Sequence, residues 1–179
     1  MATFSARTRA AAVVLAPQQA IWDALVDPEL MARFTPFLRR ITAAGEEWRW
    51  EMSGLDVLGV KVAPAFTERM VFSEPDRIEF RHDPPAGARE KAGVEGWYAL
   101  APSGHAGGTS LATELEITLD LPLPQLAGSA VRATMRRVID TMGDRFSANL
   151  LEHLGAEELP AGRPPGRPPG RPPGRSGDR

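Results

Sequence analysis

Residues 110–154 read SLATELEITLDLPLPQLAGSAVRATMRRVIDTMGDRFSANLLEHL, and the change of rhythm inside this stretch decides the fold. Leu111, Thr113, Leu115, Ile117 and Leu119 alternate with Ala112, Glu114, Glu116, Thr118 and Asp120. Successive side chains of a strand point to opposite faces, so this is a strand with one face toward a core. Beyond Pro124 the apolar spacing lengthens: Val131, Met135, Val138, Met142, Phe146 and Leu150 recur three or four apart, with Arg132, Arg136, Arg137, Asp140, Asp144 and Arg145 between them. That spacing predicts a helix from Pro124 to Leu154, about eight turns and long enough to cross a domain. One stripe of it must be buried against a sheet.

Upstream of this stretch, Phe4 to Leu15 has strand character, with Phe4, Ala6, Thr8, Ala10, Ala12 and Val14 on one face. Pro17 stands at a favoured first-turn position, and Ile21, Trp22, Leu25 and Val26 follow at helical spacing before Asp27-Pro28 ends the helix. A second short helix is predicted over Pro28 to Phe34, burying Leu30, Met31 and Phe34. From Arg39 the period is two. Trp48, Trp50 and Met52 alternate with charged residues, a longer strand spans Lys61 to Ser73, and Ile78, Phe80 and His82 alternate with Arg77, Glu79 and Arg81. Another strand, Ala92 to Ala101, precedes a glycine-rich hairpin loop at Pro102 to Gly108.

The composition of the 179 residues, 42% hydrophobic and 25% charged, supports one real core. No apolar run approaches the roughly 18 residues of a membrane-spanning helix. Arg7 and Arg9 precede a short apolar run, Ala10 to Ala16, but no small-x-small cleavage pattern follows, so the expectation is a cytoplasmic protein with no transmembrane segment. There is no cysteine, which removes disulfides and thiolate chemistry, and the three histidines, His82, His105 and His153, are not paired in spacing, so no metal and no cofactor are expected. The end of the chain is a different polymer, GRPP three times from Gly162. Proline at that density cannot enter helix or sheet interiors, so residues 157–179 are expected to be a disordered tail beyond a domain of residues 1–156. The tail is basic and the body acidic, which argues against nucleic acid as a partner of the domain.

The order strand, two helices, six strands, long helix resembles the START-like (SRPBCC, helix-grip) superfamily, which includes the birch-pollen-allergen fold, polyketide cyclases and an accessory subunit of carbon monoxide dehydrogenase. The segment IWDALVDPELMARFTP at 21–36, with an aromatic on the first helix ahead of a D-P-E turn, is similar to that family's opening. VFSEPDRIEF at 71–80 resembles its mid-sheet hairpin, and MGDRFSANLLEHL at 142–154 the end of its grip helix. The resemblance covers residues 3 to 154 and implies an α+β helix-grip fold: a seven-stranded curved antiparallel sheet, two short helices and one long C-terminal helix around an apolar cavity.

Two titratable residues fall where such a cavity would be. His82 ends the Ile78, Phe80, His82 stripe, where an imidazole either moves a proton or bonds a ligand, or else sits hydrated at the strand end. Glu68 alternates with Phe66, Met70 and Phe72; if that face is inward a carboxylate is buried, and if Thr67, Arg69 and Val71 are inward Glu68 is solvated. Trp48, Trp50, Phe66, Met70, Phe80, Tyr98, Met135 and Met142 are the expected ligand-binding surface, with Tyr98 and Trp97 necessarily on opposite faces. No GxSxG, P-loop, GxGxxG or HExxH pattern is present. Three functions remain open: binding of a small hydrophobic molecule (lipid, polyketide or quinone-like), a cyclase or dehydratase with Glu68 or His82 as general base, and an assembly factor similar to the carbon monoxide dehydrogenase accessory protein that meets a protein partner through its tail or surface.

Overall fold

In a computed structural model, which describes residues 2–160, the chain begins with a 13-residue strand, β1 (Ala2–Val14), followed by α1 (Gln18–Leu25) and α2 (Pro28–Phe34). Pro17 is the residue before α1 rather than inside its first turn. Asp27 starts α2: its Oδ1 accepts from the backbone N–H groups of Glu29 and Leu30 at 2.8 and 3.0 Å, and Pro28 supplies a pre-set φ with no N–H to leave unpaired.

Then come β2 (Leu38–Ala44), β3 (Glu47–Met52), the small pair β4 (Leu55–Val57) and β5 (Val60–Val62), β6 (Ala65–Ser73), β7 (Arg77–His82), β8 (Ala92–Pro102) and β9 (Thr109–Leu121). The single strand expected over Lys61 to Ser73 is two. Val60–Val62 turns back on Leu55–Val57 as a separate ribbon, and Pro64, which has no N–H for a ladder, stands between it and β6. A 3₁₀ turn (Gln125–Ala127) precedes α3 (Gly128–Leu154), so the long helix starts four residues later than its periodicity implied. Gly155, at φ 57°, ends it, and the chain turns back into β10 (Glu158–Pro160). The GRPP repeats of the expected tail lie outside the described residues.

The main sheet has eight strands in the order β10-β1-β9-β8-β7-β6-β3-β2, every described pairing antiparallel, so the expected count of seven is one short. The added strand is β10, which pairs with the outer edge of β1 at Ala12 to Val14. On the inner face, register sets Phe4 opposite Leu119, Ala6 opposite Ile117, Ile117 opposite Val94 and Leu115 opposite Gly96. α3 closes this face from one side. Val131, Met135 and Ile139 pack with Phe4, Leu119 and Leu121 near one end, while Leu150 meets Ala24 and Phe34 at the other. Ile139 takes the buried position given to Val138 by the simple stripe; Val138, Met142 and Phe146 are half-buried.

Candidate functional site

The two possible registers of β6 are resolved by burial. Phe66, Glu68 and Met70 are buried, Arg69 and Val71 are exposed, and Phe72, near the strand end, is also exposed. Glu68 is therefore an inward carboxyl, 3% exposed. Its register neighbours are Trp48 on β3 and His82 on β7. Because the sheet curves around α3, side chains of this face converge. Trp50 lies flat on Phe66, ring centroids 6.1 Å apart at 7°, next to Trp48 at 6.2 Å, and Phe80 meets Tyr98 at 5.7 Å. Tyr98 is the inward member of its pair, while Trp97 lies on the outer face beneath the Arg77 guanidinium, 4.8 Å from the ring centre.

Within this aromatic lining the polar atoms are poorly matched. Among the described residues no ionic partner or hydrogen bond of normal geometry engages the Glu68 carboxyl. Desolvation raises its pKa well above the ordinary carboxylate range, and the nearby Trp50 indole opposes only part of that rise. Tyr98 is pushed up as well, first by desolvation and then by the field of Glu68. The Trp50 Nε1–H is buried and faces that carboxyl without a hydrogen bond of normal geometry. An indole nitrogen can only donate, and a buried donor left unpaired costs about 1–3 kcal/mol.

His82 does not join them. Its Nε2 lies 2.9 Å from Glu90 Oε2, and the same carboxylate accepts from the Thr67 backbone N–H and hydroxyl, both at 2.8 Å. The reason is local: β7 ends at His82, and Glu90 from the following connection fills the ladder position this leaves beside Thr67. Gly93 makes room for the imidazole, since a Cβ there would stand 2.5 Å from His82 Nδ1. Strand alternation marks neither Thr67 nor Glu90; a lone Glu after a Pro/Gly-rich connection carries no periodic signal.

Of the expected helix residues, Met135 is buried in the cluster with Phe4 and Leu119, and Met142 packs half-buried against the same cluster. Val94, Tyr98, Thr113, Leu115 and Ile117, on the inner face of β8 and β9, are likewise only half-buried although Ile78, Phe80 and Leu100 beside them are buried. α3 packs chiefly on β1, β4 and the two short helices, which leaves the middle strands incompletely covered. Two surface hollows lie elsewhere. One, of about 320 Å³, is on the outer sheet face between Arg7, Glu95, Trp97 and Glu116; the other, of about 520 Å³, runs along Asp23 and Val26 to Glu29. Among the described residues no group of three or more His, Asp or Glu could hold a metal ion, and no helix is long and apolar enough to cross a membrane.

Known proteins supply the remaining findings. No curated protein matches the sequence. Among solved structures, the fold is similar to the Zhui aromatase/cyclase of Streptomyces sp. R1128 (TM-score 0.62, 13% identity, covering 84% of this chain and 94% of that one). It is also similar to a START superfamily protein of Mycobacterium smegmatis (TM-score 0.60, 13% identity, 83% and 97%) and a protein of Thermus thermophilus (TM-score 0.60, 18% identity, 83% and 96%). At these identities the likeness is one of fold. The sequence match is to the family described as polyketide cyclase / dehydrase and lipid transport, over residues 5–154. A START-like helix-grip fold with that match over most of its length means that this chain belongs to the polyketide cyclase / dehydrase and lipid transport family.

Proposed function

We propose that the protein binds a small, largely apolar molecule between the concave face of the sheet and α3. The observation that carries this reading is the buried Trp50–Glu68 pair inside an aromatic lining, a donor facing an acid with no cation and no hydrogen bond of normal geometry between them, because a folded protein rarely leaves buried polar groups so loosely satisfied without a use for them. Family membership supports the same class of ligand. Protein purified under gentle conditions is expected to carry a ligand visible by native mass spectrometry, or to gain several degrees of melting temperature with at least one of a set of sterols, fatty acids and aromatic polyketones. A clean apo mass together with no shift across the whole set would sink the reading.

A second reading, an enzyme of the cyclase or dehydratase kind, is favoured by the same carboxyl. A desolvated Glu68 prefers its neutral form, so the proton-donating role suits it better than that of general base. This electrostatic state has a measurable signature. The folded pKa lies above the unfolded one, near 4.3, so between the two the folded state holds a proton the unfolded chain has released. Stability then falls as pH rises across that window, by about 1.4 kcal/mol for each unit of pKa separation. Glu68→Gln removes the effect. Its melting temperature is expected to match the parent at pH 4 and to exceed it by at least about 3 °C at pH 8. A constant difference at both pH values would mean that Glu68 titrates normally.

A further inference from the structure

We propose that the protein settles on anionic phospholipid surfaces through three apolar tips, Phe37, Leu58 and Leu126, and the arginines beside them. This surface is separate from the interior site, and its binding does not depend on whether the interior holds a ligand.

Among the described residues these are the three most exposed large apolar side chains, at 42%, 48% and 97%. Single exposed apolar residues are ordinary, but the backbone beneath two of these is not. Phe37 and Leu58, at φ 63° and 53°, are the only described residues other than glycine at positive φ. Leu58 and Gly59, the latter at φ 81°, make the two-residue turn between β4 and β5, and with both angles positive the first place ordinarily goes to Asn, Asp or Gly. Leucine there carries backbone strain that Asn tolerates better. Phe37 is held by Ser53, whose N–H and hydroxyl both donate to its carbonyl, at 2.6 and 2.7 Å. Two turns are thus strained, and both present an apolar side chain to solvent. The chain neighbours of the three tips, Leu38, Val57 and Ala127, pack in one apolar cluster with Val131, so the tips border the same cluster.

The charge beside the tips is positive. Leu121 to Ile139, the stretch that carries Leu126, has Arg132, Arg136 and Arg137 and no Asp or Glu. All three are exposed, as is Arg39 near Phe37, and among the described residues no carboxylate lies within ion-pair distance of these four. Arg7, Arg9, Arg40, Arg69 and Arg77, by contrast, each hold a carboxylate, and Lys61 on the ribbon stands opposite Asp56. Residues 1–160 carry more carboxylates than cations, so the positive patch is local. A protein partner would need a continuous, shape-matched patch of about 800 Å² on this side, which tips on separate turns do not make. A bilayer asks for no such fit: its interface takes in apolar side chains singly, and anionic headgroups attract each arginine near them.

Co-sedimentation of the full chain with lipid vesicles is the test. Vesicles of phosphatidylcholine with one quarter phosphatidylglycerol are expected to bind it at least about 10-fold tighter than vesicles of phosphatidylcholine alone. Leu126→Ser and Leu58→Asn are each expected to weaken binding to the mixed vesicles at least about 3-fold. Asn suits the first position of the turn, so Leu58→Asn is expected to melt no lower than the parent, and its lost binding is then no folding defect. Should it melt lower, Leu126→Ser decides, since that side chain is almost wholly in solvent. The basic GRPP repeats are the same in every variant, so binding that both substitutions leave unchanged belongs to that segment or to another face and overturns the proposal. No binding to the mixed vesicles, or equal binding to both kinds, overturns it too. A dimer in analytical ultracentrifugation that Leu126→Ser dissociates would give the face to a second copy and overturn the lipid assignment. A ligand found in the interior, or none, alters none of these outcomes.

Discussion

Replacing Phe34 by alanine is expected to lower the stability of the domain by about 3 to 5 kcal/mol, the range for truncating a fully buried aromatic. Phe34 is the last residue of α2 and is 2% exposed, packed among Ala24, Leu150, Leu111 and Leu154. It meets Phe146 edge to face at 5.9 Å, and Asn149 Nδ2 donates to its carbonyl at 3.0 Å, so one residue joins the short helices to the closing helix. A truncated side chain leaves a hole that neither helix can fill without losing that joint. Phe146, which helical periodicity marks as a stripe residue of equal weight, is half-buried, and Phe146→Ala is expected to cost less than Phe34→Ala. Urea denaturation of both variants decides it: a loss for Phe34→Ala below about 1.5 kcal/mol, or the reverse ranking, would mean that the α2–α3 joint is not where the packing concentrates.

Gly96→Ala is expected to be comparably damaging, for a different reason. A Cβ at Gly96 would stand 2.2 Å from the backbone oxygen of Glu114 and 2.8 Å from the Cα of Leu115. Both atoms belong to the backbone of β9, so no side-chain rotation relieves the contact; β8 and β9 must move apart in the middle of the sheet. We expect a loss of about 3 kcal/mol, the upper end for overpacking, or failure to accumulate folded protein. Gly143, inside α3, provides the control. Nothing lies within 4 Å of a Cβ there, and Gly143→Ala should gain about 0.5–1 kcal/mol from helix propensity. A Gly96→Ala protein that melts with the parent would show that the two strands are less tightly apposed.

Where one physical preference dominated, the sequence was readable. The alternation of residues 111–120 has one clear reading, and the Asp27-Pro28 pair both closes α1 and caps α2. The inward register of Glu68 was legible only as one of two choices, decided by the bulk of Phe66 and Met70 on its side of β6. The misses occur where a short-range device outweighs periodicity. His82 continues its stripe in sequence, yet the strand stops there and Glu90 claims its ring. Pro64 divides what reads as one strand. β10 is three residues ending in proline, and only the turn at Gly155 and the free edge of β1 make it a strand. The meeting of the Trp50 indole with the Glu68 carboxyl could not have been read at all, since the geometry of such a pair is a property of three dimensions.

The placement of β1 between β9 and β10 bears on how the chain reaches this state. β1 is made first, but both of its partners are made near the end; the Thr3 hydroxyl donates to an Asp120 side chain 117 residues away. While β2, β3, β6 and β7 can zip into hairpins as they appear, β1 must wait on the growing chain with apolar residues such as Phe4 and Val14 uncovered. Closing so large a loop is slow, as in other proteins dominated by distant pairings, and an early unpaired strand is a target for pairing with another molecule. Arg7 and Arg9, which give only surface ion pairs in the finished sheet, put two like charges on that strand during the wait and keep its copies from each other.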